Sequence, residues 1–531
     1  MKYRELILLA MFVTVVNAFK PLAVDDSVNY EFARQLAHHP LDPYGFNYNG
    51  VSANYTLVPP VTMYWWAAGL RLFGDQPFLW KLWFLPFNAL FVFMLHAFCR
   101  RFALGLERPL VWMTVCSPVF WPSLNLMLDV PALALGLLAI DRFVAAFDGQ
   151  SWAGVLLAGL LAGLAMETKY TAFVAPAVMG VYALLHRRPV QGIIAGLLAA
   201  LLFVGWEAFI AAKYGESHFL FAFRSRDASS VDKVRLVMPL IGIVGGTASA
   251  GILLGLAGLR PSWRMGALVV ALIFGGFLLV ALIPTPYAVL VPGARPDRPL
   301  LTLNTLVFGL SGVMFFAILG MSTWKLVRSS NPWSKRDDVF LLAWLGLEVL
   351  GYFFLSPYPA VRRIMGVVLV ATLLTGRLAA RSIRSWDCRV NVRQAAAVSV
   401  ALGCLCFTVE YSQYRAEEHV ARRLRREFLT KGDGRLVCFS GGCVFGFYME
   451  RAGFHPLASG WERLRRGDLI VVLRRRWGFD IPAAVPSHCT EVKRVRENVL
   501  IPLRSCYQYG ATALEHLDGA MLEVVVYRRE Q

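Results

Sequence analysis

Long apolar runs separated by short polar stretches fill the chain from Leu6 to about Val409. A bilayer's hydrocarbon core is about 30 Å thick and takes roughly 20 helical residues to cross, so these runs predict membrane-spanning helices. They fall near residues 6–23, 77–99, 109–126, 130–147, 152–168, 170–186, 190–212, 236–259, 266–283, 300–324, 339–356, 364–380 and 394–411, about 13 in all. The short pairs around Asp129 and Lys169 read either as full crossings or as bent, partly re-entrant segments. The first run resembles a signal peptide because Lys2 and Arg4 precede it. Lys20-Pro21 follows it without a small-residue cleavage site, so it is kept as an anchor.

Two loops stand apart. The first, from about Val24 to Gly74, predicts a helix from Ser27 to Ala37, a turn-rich stretch at His39 to Gly45, and an aromatic helix around Met63-Tyr64-Trp65-Trp66 at the membrane interface. The second contains Pro284, Pro286, Pro292, Pro296 and Pro299. After about Tyr411 the pattern becomes charged and soluble. There the chain predicts a strand at Arg435 to Ser440, a helix at Val444 to Ala452 closed by Gly453, and strands at Asp468 to Leu473 and Leu522 to Tyr527. The expected fold is a polytopic α-helical membrane domain over residues 1–411, followed by a small extracytoplasmic α/β domain over 412–531.

Composition agrees with a membrane protein, since 57% hydrophobic and 17% charged residues exclude an ordinary soluble globular class. The net charge of +18 would suggest nucleic acid in a soluble protein. Here the basic residues gather in alternate short loops, at Arg100-Arg101, His186 to Arg188, Arg260 to Arg264, Lys325 to Arg336 and Arg377 to Arg393. The positive-inside rule then puts the N-terminus in the cytoplasm, and an odd number of spans puts the C-terminus outside. Cys438, Cys443, Cys489 and Cys506 fall in the outside domain, where disulfides and buried free thiols are both open readings. Gly159 and Gly163 read as a close helix contact. Gly441, Gly442 and Gly446 miss the dinucleotide spacing, and no P-loop, H-E-x-x-H or Ser-His-Asp pattern is present. His38 and His39 would point about 100° apart on a helix, and His218 and His455 are isolated.

Candidate chemistry gathers at outside span ends. Asp25 and Asp26 stand where the first span leaves the membrane. One can cap the helix that follows, and the other reading is a general base beside a membrane-held substrate. Asp129 lies at the same surface, as an N-terminal helix residue or as a second carboxylate that orients the base, and Asp26 and Asp129 are the candidate holders of a divalent metal ion. Lys169, Arg362 and Arg363 lie where positive-inside topology disfavours cations. They read as ligands of a phosphate or as residues snorkelling to headgroups, with Arg224 and Arg226 weaker candidates of the same type.

These motifs resemble one family. Asp25-Asp26-Ser27-Val28-Asn29-Tyr30, Pro59-Pro60 before an aromatic helix, Phe73-Gly74, Ser117-Pro118, Asp129-Val130-Pro131 and Lys169-Tyr170-Thr171-Ala172 follow one another as in the protein O-mannosyltransferase and lipid A aminoarabinose transferase superfamily of GT-C membrane glycosyltransferases. Phe447 to Gly453 and Arg466-Gly467-Asp468 are similar to the outer domain of bacterial members. The resemblance implies a polyprenyl-phosphate-linked sugar donor, an acceptor in the envelope (lipid A, a glycan or a protein), and Asp25 as catalytic base. Where the family's own phosphate contacts are missing, Lys169, Arg362 and Arg363 are the expected source of positive charge for the donor phosphate, and Tyr30, Tyr55 and Tyr170 are expected to line the substrates. Two departures stand out. Asp26 replaces a more usual Glu, and Leu57-Val58 stands where several members carry an acidic and a basic residue. The rival reading is a polytopic lipid or solute transporter, which predicts intramembrane charge pairs, repeats or discontinuous helices.

Overall fold

The computed structural model describes the chain except for residues 49–50, 57, 125, 228–235, 284–301, 329–331, 357, 430–435, 458–463, 477–478, 482–487, 506–511 and 531. The proline-rich second loop and Cys506 therefore lie outside the described residues. Among those described, seven helices are long and apolar enough to cross a membrane: Pro77–Phe102, Asp129–Asp148, Pro189–Tyr214, Trp263–Leu282, Leu303–Val327, Lys335–Leu355 and Trp386–Leu429. Trp152–Met166, Tyr170–Leu185 and Met365–Ala380 are shorter apolar helices, and the first run forms Tyr3–Ala18. The protein is a multi-pass helical membrane protein with a small C-terminal α/β domain.

Two predicted spans fold differently. Over 109–126 the only α-helix among the described residues is Glu107–Val115, nine residues that rise about 14 Å. Pro118 and Pro122 lack the N–H groups that would continue it, and the chain proceeds through turns and a short 3-10 segment, Trp121–Ser123. The span at 236–259 is broken into Val237–Thr247 and Ala250–Leu259, which meet at 82°. Close packing occupies the break. A Cβ at Gly246 would strike Ala513 of the C-terminal domain, and one at Gly245 would strike the Phe308 carbonyl. Both halves of the break are apolar, so hydropathy sees one continuous run.

Gly159 and Gly163 do bring two helices together. A Cβ at Gly159 would lie 2.7 Å from the Ala195 carbonyl, and one at Gly163 would lie 3.0 Å from Leu202 Cβ. Gly159→Leu should therefore separate Trp152–Met166 from Pro189–Tyr214. The expected cost is about 1–3 kcal/mol, read as a lowered melting temperature in detergent.

The first loop folds as predicted in outline. Its first helix is Asp26–His38 and its aromatic helix is Pro60–Phe73. Trp65 stacks on Trp83 with ring centroids 4.7 Å apart, and each indole N–H donates to the other residue's carbonyl, at 3.0 and 2.8 Å. Trp66 is fully buried. The aromatic stretch thus docks the loop onto the start of the next span.

The last membrane helix does not stop near Tyr411. Trp386–Leu424 continues as one helix, and Ala416, Val420, Ala421 and Leu424 join Val437, Phe439 and Val471 in the core of the C-terminal domain. In that domain Val437–Ser440, the helix Cys443–Arg451 and Leu469–Arg476 form the expected βαβ unit, with the two strands parallel. Leu522–Arg529 pairs antiparallel with Leu469–Arg476 on one side and Cys489–Glu497 on the other. Cys489–Glu497 escaped prediction because its charged side chains hide the strand pattern of an edge. Among the described residues Cys438, Cys443 and Cys489 are free thiols, of which only Cys438 is buried, and Cys506 lies outside the described residues.

Candidate functional site

The chain leaves the first helix through Lys20-Pro21 and turns at Val24, whose φ of 53° is left-handed. A β-branched residue there is strained, and the turn sets the adjacent carboxylates in different surroundings. Asp26 points inward. It is fully buried, and its Oδ2 accepts the Ala23 N–H at 2.8 Å. Burial pushes its carboxyl above the usual carboxylate range, against the opposing pull of Lys81 and Lys20. Lys20 Nζ donates to Glu410 at 3.0 Å and to the Pro122 carbonyl at 2.7 Å, and Lys81 Nζ donates to the Pro21 carbonyl at 2.9 Å. Two buried lysines and two buried carboxyls thus knit the exit of the first helix to the second and last membrane helices.

Asp25 points the other way. Its carboxylate, one-third exposed, accepts an N–H of Arg362 at 2.5 Å and makes no capping bond to its own helix. Arg362 also donates to the Tyr358 hydroxyl at 2.6 Å. Asp129 begins the helix Asp129–Asp148 and forms a buried ion pair with Lys169. The two pairs share one place. A cavity of about 70 Å³ is lined by Asp129, Thr171, Arg362 and Arg363 together with Leu133, Gly136, Ile140, Trp344 and Glu348. Asp25 answers the charge of Arg362, and Asp129 answers that of Lys169. Arg363 forms no ion pair among the described residues, and its Nε has no hydrogen-bond partner.

The predicted tyrosines lie elsewhere, and none is in this cavity's wall. Tyr30 stacks on Trp80 at 5.2 Å and meets Phe447 of the C-terminal domain edge-on at 5.2 Å. Tyr55 is half-exposed against Phe221. Tyr170 is buried, its hydroxyl bridging Glu207 Oε1 at 3.0 Å and His218 Nδ1 at 2.8 Å. His218, which looks isolated in sequence, is therefore central to a network. Its Nε2 lies 2.7 Å from the Thr56 carbonyl and its ring stacks on Tyr44, which ties the first loop to the C-terminal end of Pro189–Tyr214. Arg224 pairs with Glu216 at the surface, and the Arg226 side chain lies outside the described residues.

Sequence reading passed over Glu207, Glu348 and Glu410 because each is a single acid within an apolar run. That isolation was the available signal, since an ionisable residue at such depth needs a reason. Among the described residues no three His, Cys, Asp or Glu side chains form a metal-holding group. Asp26 faces a backbone N–H and Asp129 faces Lys169, an arrangement that does not fit a bound metal ion.

No family model matches the chain, and no curated protein matches it. Solved structures similar to the chain include ArnT from Cupriavidus metallidurans bound to undecaprenyl phosphate, with a TM-score of 0.42, and ArnT from Cupriavidus metallidurans in the apo state, with a TM-score of 0.40. Each is 14% identical, and each match covers 88% of this chain and 92% of the other.

Proposed function

We propose that the protein is a GT-C-type membrane glycosyltransferase that moves a sugar from a polyprenyl-phosphate donor to an envelope acceptor at the outer face of the inner membrane. The N-terminus is then cytoplasmic and the C-terminal domain extracytoplasmic, in keeping with the basic loops. One observation carries the proposal: a partly exposed carboxylate, Asp25, sits on Arg362, and Arg362 and Arg363 line a cavity whose wall is otherwise largely apolar. A lipid phosphate has the same division. Its anion suits Arg363 and Arg362 through charge-assisted hydrogen bonds, with Lys169 nearby through its pair with Asp129, and its first hydrocarbon units suit the apolar wall.

In the proposed reaction Asp25 takes the proton of an acceptor hydroxyl, whose oxygen attacks the anomeric carbon as the polyprenyl phosphate departs, so the configuration inverts. Arg362 orients the base and faces the charge that develops on the leaving phosphate. Lys169, held by Asp129, adds positive potential nearby. The sugar, a hexose or a pentose, and the acceptor among lipid A, glycan and protein are for substrate screening to name.

Undecaprenyl phosphate is the direct probe of the donor site. Arg363→Gln should weaken its binding by about 10–100-fold, the worth of one charged hydrogen bond, without altering the protein's melting temperature. Unchanged affinity would remove the arginine from the donor site. A transport reading has the broken span Val237–Thr247 and Ala250–Leu259 in its favour. It predicts that lipid is bound and moved with its sugar intact, which analysis of the lipid after incubation distinguishes.

A further inference from the structure

Glu348 is an acid in the cavity wall that the proposed reaction leaves unused. It lies in Lys335–Leu355, a helix apolar enough to cross a membrane, where a carboxyl is costly unless it is paired or put to use. One of its oxygens accepts the Trp344 indole N–H at 3.0 Å. Among the described residues it forms no ion pair, although Arg362 and Arg363 line the same cavity of about 70 Å³. It is not there as a counter-ion. Room has been made for it, because a Cβ added at Gly366, three residues beyond Arg363, would overlap the Glu348 carboxyl. Glu348 therefore lines the same small volume as the arginines.

We infer that Glu348 is a ligand of the donor phosphate and the source of the proton that the leaving phosphate takes up. This inference rests on the donor reading above. A carboxyl in an apolar wall next to a phosphate can join it only through a shared hydrogen, because two anions there would repel with little water to screen them. In its acid form Glu348 donates its O–H to a phosphate oxygen while the arginines hold the others. When the bond between the anomeric carbon and the phosphate oxygen breaks, the electron pair stays on phosphate, which would otherwise become a dianion. The Glu348 proton moves to it, leaving Glu348 as a carboxylate. Asp25 meanwhile has gained the acceptor's proton, so one proton enters Asp25 and one leaves Glu348, and both reset with solvent as products depart. The new carboxylate stands beside a phosphate monoester and favours its release.

Binding of undecaprenyl phosphate and of undecaprenol, which has the same tail without phosphate, tests this in the purified full-length protein. Glu348→Met keeps the volume and removes the donor, whereas Glu348→Gln keeps an N–H. The Met variant should bind undecaprenyl phosphate about tenfold more weakly than the parent and undecaprenol equally well, and the Gln variant should recover most of the phosphate affinity. Three results would overturn the inference: tighter phosphate binding in both variants, as expected of a carboxylate that opposes the ligand; equal losses for both lipids, as expected of packing alone; or no change in either. If the parent itself binds no undecaprenyl phosphate, or if Arg363→Gln leaves its binding unchanged, the donor reading fails first and Glu348 loses its role with it.

Discussion

Asp25→Asn lowers the rate of sugar transfer by about 10²–10⁴-fold, the usual contribution of a positioned general base, while donor affinity holds or rises. The amide fills the same space but accepts no proton. It also releases Arg362 from the ion pair that occupies it, so more of the guanidinium's charge is offered to phosphate. The effect therefore belongs in kcat and not in KM for the donor, a split that steady-state kinetics at varied donor concentration resolves. A loss confined to donor KM would assign Asp25 to binding. The neighbouring Asp26→Asn behaves differently, because Asp26 is fully buried and serves the turn through the Ala23 N–H. Its consequence is lower stability.

The second large effect concerns that buried cluster. Lys20 and Glu410 are fully buried at 3.0 Å, and removing one member of such a pair leaves an uncompensated charge that costs about 3–5 kcal/mol. Glu410→Ala should therefore accumulate poorly in membranes and melt well below the parent. Lys20→Met combined with Glu410→Leu removes both charges and keeps the volume, so it should recover most of the lost stability. Melting curves of the single and double variants in detergent check the comparison. A single variant as stable as the parent would mean that the pair is solvated.

Most spans were legible because apolar length is a property of sequence alone. The break at residues 248–249 was not, since Gly245 and Gly246 just before it lie in an apolar run and the surfaces packed against them come from Phe308 and from Ala513, far along the chain. The shortened helix at 107–115 was signalled by Pro118 and Pro122, which hydropathy ignores. At the site, Asp25, Asp129, Lys169, Arg362 and Arg363 stood out because charges at outside span ends are few. Their partners were not legible. Adjacent residues at the start of a helix point about 100° apart, so the pair Asp25-Asp26 divides between Arg362 and the protein interior. Which of the two faces outward depends on the Val24 turn and on Lys81, Lys20 and Glu410, residues up to 390 positions apart that meet only when the helices pack. Tyr170 matched the family motif in sequence, yet its hydroxyl is committed to Glu207 and His218, a network visible only in three dimensions.

The central claim is that sugar moves from a polyprenyl phosphate at Asp25. Labelled sugar supplied on a pool of polyprenyl phosphate donors, purified protein and fractionated envelope acceptors test it together, with Asp25→Asn alongside. The account predicts that label appears in one acceptor fraction with inverted anomeric configuration and that the variant leaves it on the donor. A folded protein that binds the donors and passes sugar to no fraction, or one whose Asp25→Asn variant transfers at the parent rate, would contradict it.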